Sequence, residues 1–251
     1  MELGKNKMKK IITIGLMLSQ FLMCSHGLTA NDSSVKDKKN LYKDERIGVT
    51  IGKYEGDELN GKAHGKGKVT NEIGDIFEGM FLRGEAEGKF IIKYSSGARF
   101  EGYLKHGLAE GKGKFVFSNG DVYEGEYKNG LCNGYGIYYY VNGDKHEGYY
   151  KDHLKHGKGK YYFTNGEYYE GDFYKNEIRG NGVYTWPNGS KYIGEFKNNK
   201  REGFGTKYDP DGLYYTGEFV NGNPHGYGRV FDKDGKLIAK GIWENGVYKG
   251  K

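Results

Sequence analysis

Tyr123-Glu124-Gly125-Glu126-Tyr127-Lys128-Asn129-Gly130 is one instance of a pattern that returns every 23 residues between Tyr54 and Leu237. Eight copies follow one another without insertion or deletion, beginning at Tyr54, Phe77, Phe100, Tyr123, His146, Tyr169, Tyr192 and Tyr215. A period of roughly 20–50 residues marks a repeat array rather than a globular enzyme, because each unit buries its apolar face only by stacking on the next. Counted from the first residue of a copy, the third place is always glycine: Gly56, Gly79, Gly102, Gly125, Gly148, Gly171, Gly194 and Gly217. Places 12 and 21 are glycine in every copy, and place 14 is glycine except at Phe90. Place 5 is large and apolar or aromatic (Phe81, Leu104, Tyr127, Tyr150, Phe173, Phe196, Phe219), with Glu58 as the exception.

These columns predict strands. Places 1, 3 and 5 alternate aromatic, glycine, aromatic, which is the period of a strand and sets all three on one face. Places 14–18 form a second strand, as in Gly136-Ile137-Tyr138-Tyr139-Tyr140, rich in residues that suit a pleated, half-buried surface. Asn-Gly or Asp-Gly at places 20 and 21 (Asn119-Gly120, Asp211-Gly212) predicts a type I′ hairpin turn, which needs positive φ at both central residues. Glycine inside a strand marks close approach of something bulky. The expected occupant is an aromatic ring from a neighbouring strand or copy.

The spacing resembles the MORN repeat (membrane occupation and recognition nexus), which reads roughly Tyr-x-Gly-x-Phe-x-x-Gly-x-x-x-Gly-x-Gly, then a short aromatic strand and a closing glycine. Together these readings give an all-β chain: an elongated array of about eight stacked antiparallel β-hairpins in a single twisted MORN-type sheet, preceded by a signal-peptide helix. With strands ~4.8 Å apart, eight hairpins extend ~75–80 Å.

The ends differ from the array. Lys5, Lys7, Lys9 and Lys10 precede an apolar run from Ile11 to Met23, followed by Ser25, Gly27 and Ala30. That is the layout of a secretory signal peptide over residues 1–30. The run falls short of the ~20 apolar residues a spanning helix needs, which argues against an uncleaved anchor. Cys24 offers a bacterial lipid-anchor site, but Phe21-Leu22-Met23 before it lacks the small residue such sites carry. The expected location is therefore secreted, periplasmic or cell-surface, with a lipid anchor at Cys24 as the less favoured alternative. Residues 31–46 read as a polar disordered linker, and residues 47–53 as an N-terminal cap strand. Over residues 238–251, Gly241-Ile242-Trp243-Glu244 restarts the unit one residue late and reads as a capping strand with Trp243 in the ring position.

Charge and chemistry exclude more than they suggest. The formal net charge is +6, yet residues 54–237 hold 26 Lys and Arg against 27 Asp and Glu. Nucleic-acid binding wants a clustered basic face, so no nucleic-acid partner is expected. After signal removal only Cys132 remains, and an internal disulfide is then ruled out. His153 and His156, with His146 nearby, do not form the four-ligand set of a structural zinc site. The place-11 column accepts His64, Glu87, Glu110, Asn133, His156, Arg179, Glu202 and His225, and so reads as a solvent-facing loop. The glycine-rich stretch 156–160 precedes a strand rather than a helix and matches no phosphate-binding fingerprint. The glutamate row at place 2 (Glu55, Glu78, Glu101, Glu124, Glu147, Glu170) reads as a solvated face in cross-strand pairs with Lys68, Lys114 and Lys160. No catalytic residue, metal or cofactor emerges.

Most rings are core. Tyr103, Tyr149 and Tyr139 fall on the face opposite the main rings and are the candidates for a binding patch. The reading is a non-enzymatic exported scaffold that binds a protein partner or itself. Resemblance to MORN proteins implies the same, and also a membrane-surface module that contacts phospholipid. A carbohydrate-binding surface protein using the exposed tyrosines is a third alternative. Some relatives carry kinase or methyltransferase domains, but the 14 residues after Leu237 are too few for one.

Overall fold

A computed structural model describes residues 52–251 in full, with the backbone alone at 10–13 and 49–51. The signal segment (1–30) and linker (31–46) lie outside the described residues, apart from the backbone of β1 (Lys10–Thr13), antiparallel to residues 49–52. Residues 47 and 48 are likewise outside. The chain divides into two compact units, Met1–Val141 and Asn142–Lys251. No helix occurs among the described residues.

In the first unit β2 (Val49–Leu59), β3 (Lys62–Asn71), β4 (Ile76–Leu82), β5 (Glu85–Lys93), β6 (Arg99–Lys105), β7 (Leu108–Val116), β8 (Val122–Lys128) and β9 (Leu131–Tyr139) pair antiparallel in sequence order. The second unit repeats the arrangement with β10 (Lys145–Lys151), β11 (Leu154–Tyr162), β12 (Tyr168–Tyr174), β13 (Glu177–Thr185), β14 (Lys191–Lys197), β15 (Lys200–Tyr208), β16 (Tyr214–Val220) and β17 (Asn223–Phe231), then β18 (Leu237–Glu244) and β19 (Val247–Gly250). The residues read as an N-terminal cap run straight into the first copy as part of β2.

One copy shows how the columns work. In β8–β9, Gly125 faces Gly136 and Tyr127 faces Cys132. Between those pairs β8 has only Glu126, while β9 has Asn133, Gly134 and Tyr135. This wide bulge needs Gly134 at φ 109°. The bulge leaves the Glu126 carbonyl without a ladder partner, and the Tyr123 hydroxyl donates to it at 3.1 Å. Tyr169, Tyr192 and Tyr215 do the same for Asp172, Glu195 and Glu218. The ring that reaches this carbonyl lies across two glycines. A Cβ on either Gly125 or Gly136 would sit 2.5 Å from the Tyr123 hydroxyl. The nearest occupant is the first ring of the same copy, which for Gly136 lies on the neighbouring strand as expected, and a ring of the next copy also reaches some place-14 glycines: Tyr127 comes within 3.1 Å of a Cβ on Gly113. In the second copy Phe90 replaces the glycine, and its own ring covers Gly79.

Rings at places 1 and 5 then interlock along each unit. Tyr123 meets Tyr127 edge-on at 5.3 Å, Tyr169 meets both Phe173 and Phe196 at 5.2 Å, and Tyr192 meets Phe219 at 4.9 Å. These are the T-shaped contacts that ring quadrupoles favour. Tyr127, Tyr150, Phe173, Phe196 and Phe219 are all buried, whereas Glu58, the exception at place 5, is exposed. Trp243 continues the series against Tyr215 at 5.2 Å and 78°. Its one-residue lag is absorbed by a bulge at Ile238, between the Val230–Ala239 and Phe231–Leu237 pairs. The C-terminal segment adds β19 as well, so a ninth hairpin stands where a single strand was expected.

The turns correct the sequence reading. Type I′ geometry lies at places 7 and 8, where both residues have positive φ: Asn129 51° and Gly130 81°, Asn221 50° and Gly222 89°. At places 20 and 21 only the glycine is left-handed. Those loops are three-residue connections in which the amide of Gly120 donates to the Phe117 carbonyl and the amide of Phe117 to the Asp121 carbonyl. The asparagine acts through its side chain, accepting from the amide of Asp121 (3.0 Å). An Asn-Gly pair serves either role, and the loop length decides which: two residues between Lys128 and Leu131, three between Phe117 and Asp121. Places 9–11 are strand rather than loop.

Candidate functional site

Several core-face polar groups hold loops and turns together, although the Tyr94 hydroxyl and Trp243 Nε1 are buried without a hydrogen-bond partner. The acid at place 22 joins successive loops: Asp121 is buried and accepts from the amide of Val141 (2.8 Å) and the hydroxyl of Tyr138 (2.8 Å). Asp144 takes the amide of Thr164 and the hydroxyl of Tyr161. Burial raises its pKa, but the hydrogen bonds from Thr164, Asn142 and Tyr161 outweigh this and hold it below the ordinary carboxylate value. Place 11 is also structural. Glu87, Glu110 and Glu202 accept, at 2.9 Å each, the amides of His106, Asn129 and Asn221, the first residues of the next copy's I′ turn. Sequence reasoning placed this column in solvent; its period hid the fact that its partners lie 19 residues ahead.

Place 10 holds the buried residues that column reading passed over: Ala63, Ala86, Ala109, Cys132, Lys155 and Ile178, with a half-buried Arg201 in one copy. The Arg201 guanidinium lies 5.5–5.7 Å from the rings of Trp186, Tyr192 and Phe219 and donates to the Gly222 carbonyl. Lys155 lies 4.9 Å from the ring of Tyr161. His146, in the ring position of its copy, is fully buried, bonded through Nδ1 to the Tyr150 hydroxyl at 2.7 Å. Burial, and then the charge on Lys155, push its pKa well below the ordinary histidine value. His153 is buried in the I′ turn and His156 lies on β11 beside the ring of Tyr174. Among the described residues no three His, Cys, Asp or Glu side chains converge as a metal site requires.

The opposite face is where side chains stay available. Tyr103 is 55% exposed, Tyr149 53% and Tyr139 44%. In the first unit Tyr103 lies in a groove of about 570 Å³ with Tyr135, Ile137, Lys112, Glu124 and Glu126; Tyr139 is not among its lining residues. A neighbouring groove of about 620 Å³ is lined by Met80, Ile91, Lys66, Lys68 and Glu78. The expected Glu–Lys pairing occurs at Lys114–Glu124 (3.5 Å) and Lys160–Glu170 (3.6 Å), and Lys89 reaches Glu101 at 3.2 Å. Exposed pairs of this kind contribute little. Tyr149 lies in the second unit, against the bulge glycine Gly157. The exposed rings at place 13 (Tyr135, Phe204 and Tyr227) went unnoticed in the sequence, where the same column carries Lys66, Lys89, Lys112, Lys158 and Asn181 in the other copies.

A family model described as the MORN repeat matches residues 54–76, 100–122, 123–145, 146–168, 169–191, 192–214 and 215–236, more than half of the chain. The chain belongs to the MORN-repeat family. Seven copies match, and the stretch passed over, residues 77–99, is the copy in which Phe90 replaces the MORN glycine. Its β4–β5 hairpin nonetheless forms with the same bulge. No curated protein matches the chain. Similar solved structures include the SAS-4 (dCPAP) TCP domain of Drosophila melanogaster in complex with a proline-rich motif of Ana2 (dSTIL). It is 18% identical, with a TM-score of 0.40, covering 73% of this chain and 94% of that one. The wild-type TCP10 domain of Danio rerio CPAP is 18% identical with a TM-score of 0.36, covering 74% and 94%. At such TM-scores we draw nothing from these likenesses.

Proposed function

We propose that this MORN-repeat chain is an exported, non-enzymatic scaffold that binds a protein partner, or a further copy of itself, through the face opposite its ring core. One observation carries the reading. Core-face groups such as the Tyr123 hydroxyl and the Asp121 carboxylate hold bulges and loops, while the outward face keeps grooves and exposed rings, Tyr103 foremost. An exposed aromatic set among charged residues is the composition of an interface centre with a polar rim. Export rests on the lysine-then-apolar layout of residues 1–30. It is tested by N-terminal sequencing of the protein recovered outside the cell, and a product that retains residues 1–30 in the cytosol would sink it.

The partner reading is tested by capture from native surface extracts with the wild-type chain and with Tyr103→Ser/Tyr135→Ser, both of native far-UV circular dichroism. Loss of a specific captured protein in the double variant supports the groove; identical capture removes it. A membrane-surface reading has one observation in its favour: Lys66, Lys68 and Lys112 make no ion pair among the described residues. Flotation with anionic liposomes over a salt series tests it, since lysine–phospholipid attraction is screened by salt. A carbohydrate reading through Tyr103 and Tyr149 predicts glycan-array signal that disappears when both are changed to alanine.

A further inference from the structure

The triplet Asn-x-Ser, with x other than proline, stands at two places in the chain: Asn31-Asp32-Ser33 and Asn188-Gly189-Ser190. It is the acceptor pattern for N-linked glycosylation, which belongs on surface loops of secreted proteins. Asn31 lies outside the described residues. Asn188 lies at place 20 of its copy, in the middle of the three-residue loop between β13 and β14. So short a triplet also arises by chance, and the loop itself decides whether the asparagine is able to carry a sugar.

The same loop in other copies supplies the contrast. There the acid at place 22 occupies the asparagine: Asn119 Nδ2 donates to the Asp121 carboxylate at 3.0 Å, and Asn142 Nδ2 to that of Asp144 at 3.1 Å. Those acids also accept the amides of Val141 and Thr164 in the following loop, at 2.8 Å each. Successive loops are thereby held close. A Cβ on Gly120 would meet Val141 at 3.3 Å, and one on Gly143 would meet Thr164 at 2.6 Å. Place 22 of this copy is Ser190 instead. Its amide still donates to Asn188 Oδ1 at 3.0 Å, but no carboxylate stands opposite the side-chain nitrogen. Among the described residues Asn188 Nδ2 makes no hydrogen bond, Asn188 is exposed, and a Cβ on Gly189 would meet nothing within 4 Å. Below the open tip the loop is closed, with the Trp186 amide on the Ser190 carbonyl and the Gly189 amide on the Trp186 carbonyl, both at 2.9 Å. One replacement, serine for the acid, thus frees the nitrogen and creates the acceptor triplet together. Asn165, followed by Glu167, has no such hydroxyl.

We infer that Asn188 is an N-linked glycosylation site. The inference rests on the export part of the reading above. The donor is an oligosaccharide on a polyprenyl diphosphate, and an oligosaccharyltransferase of the receiving compartment carries out the transfer. A bond forms between Asn188 Nδ2 and the anomeric carbon while the bond from that carbon to the diphosphate oxygen breaks. The diphosphate leaves with the electron pair, and one Nδ2 proton passes to a base of the transferase. Ser190 is only 5% exposed in the folded chain, so transfer precedes closure of the β13–β14 hairpin. The folded loop then holds the sugar in solvent, where a bulky, hydrated group shields this stretch of the surface.

Trypsin cuts after Arg179 and Lys191 and releases the loop as peptide 180–191. This peptide is mapped by mass spectrometry in protein recovered from its own organism, before and after an N-glycan amidase in heavy-oxygen water. The expected result is a peptide seen only after the amidase, with labelled aspartate at position 188; the label separates it from spontaneous deamidation at Asn-Gly. In parallel the full chain with Asn31→Gln is translated with glycosylation-competent microsomes. One amidase-sensitive step in gel mobility is expected, lost in Asn188→Gln and in Ser190→Ala and kept in Ser190→Thr. An unmodified peptide 180–191 in protein that has lost residues 1–30 overturns the inference and leaves export standing. So does a mobility step that survives Asn188→Gln. Protein that keeps residues 1–30 in the cytosol sinks export instead. The site is then decided in microsomes with an established secretory signal in place of residues 1–30, where absence of an Asn188-dependent step overturns it.

Discussion

Gly136→Ala isolates the contact on which each copy is built. The backbone at Gly136 is ordinary strand, so alanine meets no conformational penalty there. Its Cβ, however, would lie 2.5 Å from the hydroxyl of Tyr123 and 2.7 Å from its Cε2 and Cζ. The ring has little room to retreat: it is fully buried, spans Gly125 as well, and is tied to the Glu126 carbonyl. Overpacking a rigid core costs about 1–3 kcal/mol and occasionally more. Three ring atoms below normal contact put this case at the upper end, about 3 kcal/mol. Gly97→Ala is the contrasting variant. There φ is 89° and nothing lies within 4 Å of the added methyl, so only the left-handed backbone is penalised, at about 1–2 kcal/mol.

The two penalties separate when the ring is trimmed. Tyr123→Leu alone loses core area and the bond to Glu126, about 2–4 kcal/mol. Combined with Gly136→Ala it removes the clash, so the double variant should be more stable than the sum of the singles by at least about 1 kcal/mol. Combined with Gly97→Ala the effects should add within about 0.5 kcal/mol. Urea unfolding followed by far-UV circular dichroism, fitted as a chain of nearest-neighbour units, reads all five variants. Additivity of Gly136→Ala with Tyr123→Leu would refute the claim that this glycine exists to seat this ring.

Three further outcomes follow from the same geometry. His146 is held neutral by burial and by Lys155, so its folded pKa lies below its unfolded one. The unfolded chain then binds the proton first, and the stability present above about pH 6.5 is lost as the pH falls toward the depressed folded value. His146→Tyr should flatten the urea midpoint between about pH 7.5 and 5.5, and an unchanged slope would count against burial of a neutral imidazole. Glu110→Ala removes the acceptor for the Asn129 amide and should cost about 1 kcal/mol, whereas Glu124→Ala, on the solvated face, should stay within about 0.5 kcal/mol by the same urea titration. Trp243→Ala opens the end of the ring stack beside Tyr215. Amide hydrogen exchange should rise across β18 and β19 and leave β10–β12 unaltered, since stability in an array is a sum of neighbour terms.

The columns that proved legible share one property: their partners lie within the same 23-residue unit or one unit away in a fixed offset. Gly125, Tyr127 and Trp243 could be read from the sequence because an aromatic–glycine alternation has only one sheet face to occupy. Place 10 was passed over and place 11 misread because their role depends on what the next copy brings beside them. Cys132 is buried beneath its neighbours, and Glu110 finds its acceptor role at Asn129. The Asn-Gly pairs were legible as turns but not as turn types. The same dipeptide serves a two-residue connection at Asn129-Gly130 and a three-residue one at Asn119-Gly120.

The sequence by itself determined the all-β repeat architecture, the family and the ring face, because a fixed period repeated eight times leaves strand phase no freedom. It also showed Tyr103, Tyr149 and Tyr139 on the outward side, since alternation alone decides side. What only the tertiary structure decided is which outward residues stand together. Val183, Ile193, Thr206 and Thr216 are ten to thirteen residues apart in the chain and become adjacent only through cross-strand register. Register across strands is set by turns and bulges, and these are three-dimensional quantities that no single column records.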